Sequence, residues 1–404
     1  MKNVILILSM LIATALTAKA QTWDGTTATG YEGGDGTAES PYLIANGQQL
    51  AKLAEDMLAI TDFSKGKYFK LTADIVMNAG VFEAIVPSTR QDQEDLPKDN
   101  DLSMFRETPN IGSYDSDDSY VAFQGTFDGD GQRIIGLLSK LYSGKTFDGL
   151  FRVLENATVK NLGISDSYLL SNAYVGALAG RVIDSNIVNC YVERSYIEGG
   201  GSRNAALIGQ CLGHSQMVNC YADATVFGKN DMGGLIGRIG NGRENSCVVD
   251  NCFAYVNIRE KRRNNGAISS ECGLGSTVRN CYYCKLGETQ GAIWKDYLYG
   301  TVENTQELSA EAFAADGLLA DLNSRSQQLA GAARWKSGER HPQLDYSQFT
   351  EDTQGISVLY NDVTPGTRTY LLNGMATGTA NAHGVYIIRT TSSNGKSTVK
   401  KVIR

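Results

Sequence analysis

Between Gly149 and Cys284 apolar residues come in short bursts that alternate with polar ones, and Gly, Asn, Asp and Ser separate the bursts. Period-two alternation bounded by turn formers predicts short strands. The bursts recur. Aligned on an Asn, five copies read Val159-Lys160-Asn161-Leu162, Val188-Asn189-Cys190-Tyr191, Val218-Asn219-Cys220-Tyr221, Asp250-Asn251-Cys252-Phe253 and Arg279-Asn280-Cys281-Tyr282. The Asn spacings are 28, 30, 32 and 29 residues. A second anchor precedes each Asn: Gly149-Leu150-Phe151, Gly176-Ala177-Leu178-Ala179-Gly180, Ala205-Ala206-Leu207-Ile208-Gly209, Gly233-Gly234-Leu235-Ile236-Gly237 and Gly266-Ala267-Ile268-Ser269-Ser270. From the central Leu or Ile to the next Asn the gaps are 11, 11, 12, 16 and 12, so the extra length falls around Asn241–Ser246. Repeat arrays absorb such insertions in loops while the stacked elements stay in register.

A helical repeat of this length needs two amphipathic helices with apolar residues at i, i+3, i+4 and i+7, and that pattern is missing here. A propeller blade needs about 40–45 residues and four strands. Three short strands per unit joined by tight turns fit instead. The predicted fold is all-β, a right-handed parallel β-helix whose coils stack at about 4.8 Å. Small residues beside each central Leu allow close backbone approach at a corner. Open coil edges template aggregation, so the helical patterns at Gln48–Leu58 and Ala310–Leu322 are predicted as end caps. Beyond Asp345 four strands are predicted, at Ile356–Tyr360, Thr369–Leu372, Val385–Arg389 and Thr398–Ile403, forming a small β domain.

The Gly-x-Leu-x-Gly element followed by Val-x-Asn-Cys-Tyr resembles the GLUG-motif repeats of surface proteins from gut and oral bacteria of the Bacteroidetes type. Glu39-Ser40-Pro41-Tyr42-Leu43-Ile44, Gly66–Ile75 and Phe123–Gly131 resemble upstream segments of the same family. The resemblance covers most of residues 24–345. Ser269-Ser270 depart from it and predict an irregular final coil. The family implies architecture and an extracellular setting, with no activity attached. Leu372-Asn373-Gly374-Met375, His383–Arg389 and Lys400-Lys401-Val402-Ile403-Arg404 resemble the C-terminal sorting domain of the type IX secretion system, which implies that machinery as a partner. A small β stalk is the plainer alternative.

The first twenty residues read as a secretory signal: Lys2, an apolar run from Val4 to Leu16, and Ala18-Lys19-Ala20 before a cleavage point between Ala20 and Gln21. The run is short for a bilayer span. The expected organisation is therefore signal 1–20, N-terminal cap and first coils 21–122, β-helix 123–300, C-terminal cap 301–348 and sorting-like segment 349–404. The expected destination is the cell surface or the medium, with no membrane span in the mature chain.

Charge and chemistry change this picture little. The net charge of −7 becomes −9 without Lys2 and Lys19, which argues against nucleic acid as a partner. All eight Cys lie between Cys190 and Cys284. An exported protein with an even count suggests disulfides. The repeat suggests instead that Cys190, Cys220, Cys252 and Cys281 stack as small buried thiols. Adjacent residues on a strand face opposite sides, so Tyr191, Tyr221, Phe253 and Tyr282 are expected outside, as a strip suited to sugar or protein contact. His214, His341 and His383 lie apart, at no metal-ligand spacing, and no metal or other cofactor is expected. Asp128-Gly129-Asp130-Gly131 reads as a tight turn rather than a catalytic pair, and Asp115–Asp118 as an acidic loop rather than a calcium site.

Arg259, Lys261, Arg262 and Arg263 form the strongest charge contrast. At an expected loop tip, they are the candidate binding residues for an anionic glycan or an acidic partner surface. Two readings of function remain open. One is a non-enzymatic adhesin or binding module for a glycan or a host or extracellular protein. The other is a β-helix carbohydrate-active enzyme, a lyase or glycoside hydrolase, which requires carboxylates converging in a groove.

Overall fold

A computed structural model shows a parallel β-solenoid. It describes residues 21–85, 102–140, 146–240, 245–260, 264–287 and 291–350, together with the strands of the C-terminal tail. The signal segment, including Ala20, lies outside the described residues, as does most of the 241–246 insertion. Each coil has three faces. The short face is a nine-stranded sheet running from Tyr42–Ile44 to Thr301–Glu303. The long face includes Tyr191–Ser202, Tyr221–Asn230 and Phe253–Glu260. The glycine face stacks Phe151–Glu155, Ala179–Ile183, Ile208–Leu212 and Ile236–Ile239. Pairing on all three faces is parallel.

The core is built from columns of like residues. Val159, Ile187, Met217, Val249 and Val278 stack from the short face, and Leu178, Leu207, Leu235 and Ile268 from the glycine-face corner, all buried. Each fully buried aliphatic side chain is worth about 1.5–3 kcal/mol. The repeated glycine of the motif has a steric cause: a Cβ on Gly180, Gly209 or Gly237 would stand 2.4, 2.2 or 2.0 Å from the backbone of Phe147, Tyr174 or Arg203 in the preceding coil. The last copy has Ser270 there, and its hydroxyl bonds the Gly237 carbonyl at 2.6 Å. On the glycine face that copy makes only isolated bridges, at Gly266, Ser269 and Cys272, as the departure from the motif predicts.

The Asn that anchors every repeat sits at a corner with left-handed backbone: Asn161, Asn189, Asn219, Asn251, Asn280 and Asn304 have φ of 53, 58, 55, 51 or 43°, with 53° shared by the first two. Asn tolerates that region better than other residues with a Cβ. Its amide also spans the coil rise. Asn189 Nδ2 donates to Asn161 Oδ1 at 2.8 Å, Asn219 to Asn189 at 2.8 Å and Asn251 to Asn219 at 2.7 Å. The following Cys points inward, and all eight Cys are buried free thiols. The amide of Cys190 donates to Cys220 Sγ, and that of Cys220 to Cys252 Sγ, both at 3.3 Å. Burial pushes the thiols of Cys220, Cys252 and Cys281 well above the usual range, which keeps them protonated and unreactive.

The N-terminal helix, Gly47–Ala59, starts at Asn46, whose side chain accepts from the Gln49 amide at 3.0 Å. Leu50, Leu53, Ala54 and Met57 join the solenoid core, so this helix is the expected cap. The C-terminal side differs from expectation in two ways. Coil strands continue through Gln306–Leu308, past the expected boundary at 300. The helices Ala310–Phe313 and Asp316–Ser326 then do not close the end of the solenoid. They start a strap that runs back along its flank. Phe313, Leu318, Leu322, Ala333, Trp335 and Leu344 pack on Tyr191, Tyr221, Phe253 and Tyr282. The aromatic row does face away from the Cys, but the strap covers it, so it is no open contact strip. Four large apolar residues in one outward row need such a cover.

In the tail, Thr367–Leu371, Ala376–Thr377, Val385–Thr391 and Ser397–Ile403 form an antiparallel sheet. Three of the four expected strands are there. Ile356–Tyr360 lies outside the described residues.

Candidate ligand groove

Along the long face, period two sends Tyr191, Glu193, Tyr221, Asp223, Tyr255, Asn257 and Arg259 outward and Val192, Ala222, Ala254 and Ile258 into the core. Parallel register lines the outward residues up across coils: Glu193 with Asp223 with Tyr255, Tyr196 with Thr225 with Asn257, and Glu198 with Phe227 with Arg259. The strap covers the first outward row and stops at the second. A groove of about 780 Å³ remains, floored by the second and third rows. Arg340, His341 and Gln343 of the strap form one wall, and Phe82 closes part of the other side. Phe82 lies flat against Tyr196, ring centres 4.6 Å apart, with the Arg194 guanidinium 4.9 Å above it.

The two sheet carboxylates in the groove already have partners. Glu193 Oε1 accepts from the Tyr221 hydroxyl at 2.6 Å and from Gln343 Nε2 at 3.4 Å. Asp223 Oδ2 is paired with Arg340, and His341 Nε2 lies 3.1 Å from it. Arg340 also lies over the Tyr255 ring at 5.5 Å. His341 is buried among Tyr221, Phe253 and Tyr255, at 5.3–5.6 Å between ring centres. No local pattern marks this burial, because its ring and carboxylate contacts are more than eighty residues away in the chain. Burial pushes the Glu198 carboxyl up, and the Tyr168 hydroxyl at 2.9 Å partly offsets this.

Of the basic candidates, Arg259 is among the described residues, two positions after Asn257, which lines the groove. Arg259 is in a strand, not at a loop tip; it is exposed, with its guanidinium 5.7 Å over Phe227. With the Asn257 amide oriented to satisfy both neighbours, its oxygen accepts from Arg259 Nε at 3.1 Å and its nitrogen donates to the Leu286 carbonyl at 3.1 Å. Lys261, Arg262 and Arg263 lie outside the described residues. Gln21, the expected new N-terminus, is exposed. Asp128 and Asp130 serve a turn: Asp128 Oδ1 accepts from the Asp130 amide at 2.9 Å and from Asn161 Nδ2 at 3.0 Å. Cys281 and Cys284, the two thiols of Cys281-Tyr282-Tyr283-Cys284, do not converge: the first packs in the solenoid core and the second under the strap.

Among the described residues no helix is long and apolar enough to cross a membrane. No family model matches the chain. A protein of Evansella cellulosilytica, provisionally described as a Gly-rich membrane protein, is 27% identical over 216 residues, which is 52% of this chain and 21% of that protein. This chain thus spans about a fifth of that relative. A crystal structure of a protein from Bacteroides ovatus, provisionally described as an immunoglobulin A1 protease, aligns with 78% of this chain and 95% of its own at 19% identity and a TM-score of 0.45. A likeness of that degree carries no information on what this chain does.

Proposed function

We propose that the chain is an exported, surface-displayed β-solenoid of the GLUG-repeat type whose lateral groove binds a saccharide without cleaving it. One observation carries this reading. The groove is lined by the aromatic side chains Phe82 and Tyr255 and by the neutral polar side chains Thr225 and Asn257. Its two sheet carboxylates are occupied by strap donors. Arg259, two positions after Asn257, with the basic residues that follow it in sequence, favours acidic sugars or acidic partner surfaces. The test is a glycan array on purified protein, with Tyr255→Ala and Asn257→Ala as groove variants; ligands retained at full affinity by both would refute the groove. Replacing Arg259, Lys261, Arg262 and Arg263 with Gln weakens acidic ligands at low salt, and added salt masks the difference.

A specific feature also favours the enzymatic reading: Glu193 and Asp223 are register partners on neighbouring strands, about 4.8 Å apart at the backbone. Saccharide cleavage by the parent, lost in Glu193→Gln and Asp223→Asn proteins that keep their fold, would establish it in place of simple binding.

Export is proposed to use the signal segment and then the tail as an address for the type IX machinery. Each coil contacts only its neighbours and the strap. Truncation before Ile356 therefore leaves a folded solenoid in the periplasm, while the full chain reaches the surface. A truncated protein found outside the cell would make the tail merely structural.

A further inference from the structure

The two ends of the solenoid are finished differently. At the N-terminal end the helix Gly47–Ala59 packs into the core. At the other end Thr301–Glu303 and Gln306–Leu308 are the last strands of their sheets, each paired on one side alone. The helices that follow lead into the strap on the flank. Among the described residues no further strand pairs with this edge.

The edge is open in its backbone, its side chains and its sequence. Thr301 donates its amide to the Ser276 carbonyl, and the Glu303 carbonyl accepts from the Asn280 amide, so both residues turn toward the preceding coil. Alternation along a strand then points the N–H and C=O of Val302, between them, out of the solenoid. Thr301, Glu303, Gln306 and Glu307 are exposed, as are Leu298 and Tyr299 at 43% and 54%. Val302 packs on the core yet stays half-buried. Natural edges are guarded by Pro, Lys or a bulge. Residues 298–308 hold neither Pro nor Lys, and both strands pair in unbroken register.

We propose that a second copy of this chain covers this end, the two open edges pairing antiparallel about a two-fold axis through Val302. Charge favours this occupant. Thr301–Leu308 carries two carboxylates, Glu303 and Glu307, and no base. Antiparallel pairing sets Val302 against its own equivalent, with two hydrogen bonds exchanged, and Thr301 against Glu303 of the partner subunit. No like charges meet on that strand, whereas a parallel copy in register would oppose Glu303 to itself. Leu298 and Tyr299 belong to the same last coil, where Leu298 bridges to Cys272, and end-to-end contact covers them. The helix over the N-terminal end blocks head-to-tail stacking, so the contact closes as a dimer instead of growing into a fibre.

Sedimentation of the full chain tests it. The parent forms a concentration-dependent dimer. Thr301→Glu sets a carboxylate against Glu303 of the partner subunit and weakens the dimer roughly tenfold, since the like-charge contact occurs twice. Thr301→Glu combined with Glu303→Thr restores it, because acid and neutral residue have only changed places. Both positions are exposed, and urea midpoints near the parent's separate lost contact from lost fold. Amide exchange in the parent gives a second readout that needs no variant: the Val302 N–H is protected at high concentration and not on dilution. A parent that stays monomeric, a dimer that Thr301→Glu leaves intact, a double variant no better than the single one, or a Val302 amide indifferent to concentration would each overturn the proposal.

Discussion

Two of the solenoid's left-handed corners solve the same backbone problem with different residues. One carries Asn in every coil from Asn161 to Asn304; the other carries Phe147, Tyr174, Arg203 and Asp231. At the first, each amide bonds the coil before it, and the strap adds more: Ala333 donates its amide to Asn189 at 2.8 Å, and Trp335 Nε1 donates to Asn219 at 2.8 Å. Asn161, Asn189, Asn219 and Asn251 are buried there with their amides donating across coils, so the residue repeats. At the second, Phe147 is buried while Tyr174, Arg203 and Asp231 are half-buried, and no side-chain bond repeats from coil to coil. There the residue changes from coil to coil. Constancy at a corner marks a structural role, and departure from the backbone's preferred residue marks a place where something other than folding chooses.

The largest way to disturb this contrast is to remove the strap. Ending the chain after Leu308 uncovers Tyr191, Tyr221 and Phe253 and strands the Asn groups that Gly331, Ala333 and Trp335 satisfy. The product is expected to aggregate or to bind a hydrophobic dye strongly, whereas a soluble, non-binding product would show the strap to be dispensable.

A smaller disturbance is Asn219→Ala. It removes one acceptor each from Trp335 Nε1, Asn251 Nδ2 and Ser326 Oγ, takes the donor from the Ala333 and Asn189 oxygens, and places Ala in the left-handed region. The expected loss is roughly 4 kcal/mol in urea unfolding, from one or two stranded buried groups plus the conformational cost. A loss below about 1 kcal/mol would deny the ladder its structural role.

Acid should act on the same side of the molecule. Burial pushes the Asp250 carboxyl up, but hydrogen bonds from Arg325, Asn280 and Arg279 outweigh burial and hold it below the usual range. A depressed folded value means that the stabilisation is present above about pH 4, the unfolded carboxylate value, and is lost as pH falls through the folded one. Arg325 at 2.6 Å ties the strap to the solenoid, so Asp250→Asn flattens that part of the acid dependence. An identical pH profile in the variant would remove Asp250 from the account.

Much of the Asn corner was legible in the sequence, and little of the other. Two anchors in step over five copies gave the parallel solenoid, and Asn followed by Cys gave an outward corner and an inward thiol. The helical stripe at Ala310–Leu322 shows that these residues cover apolar surface. It does not show which surface, because the contacts of Trp335 with Asn219 and of His341 with Asp223 span 116 and 118 positions. The row Tyr191, Tyr221, Phe253 and Tyr282 held the clue: four aromatics facing away from the core require a lid. The groove depends on where that lid stops, and no local pattern encodes this.

The contrast itself is tested most directly by unfolding Asn219→Ala and Tyr174→Asn in urea side by side with the parent. The account predicts that the first loses roughly 4 kcal/mol. The second should stay within about 1 kcal/mol of the parent, since relief of left-handed strain offsets the lost ring stacking. Equal losses at both corners would contradict it.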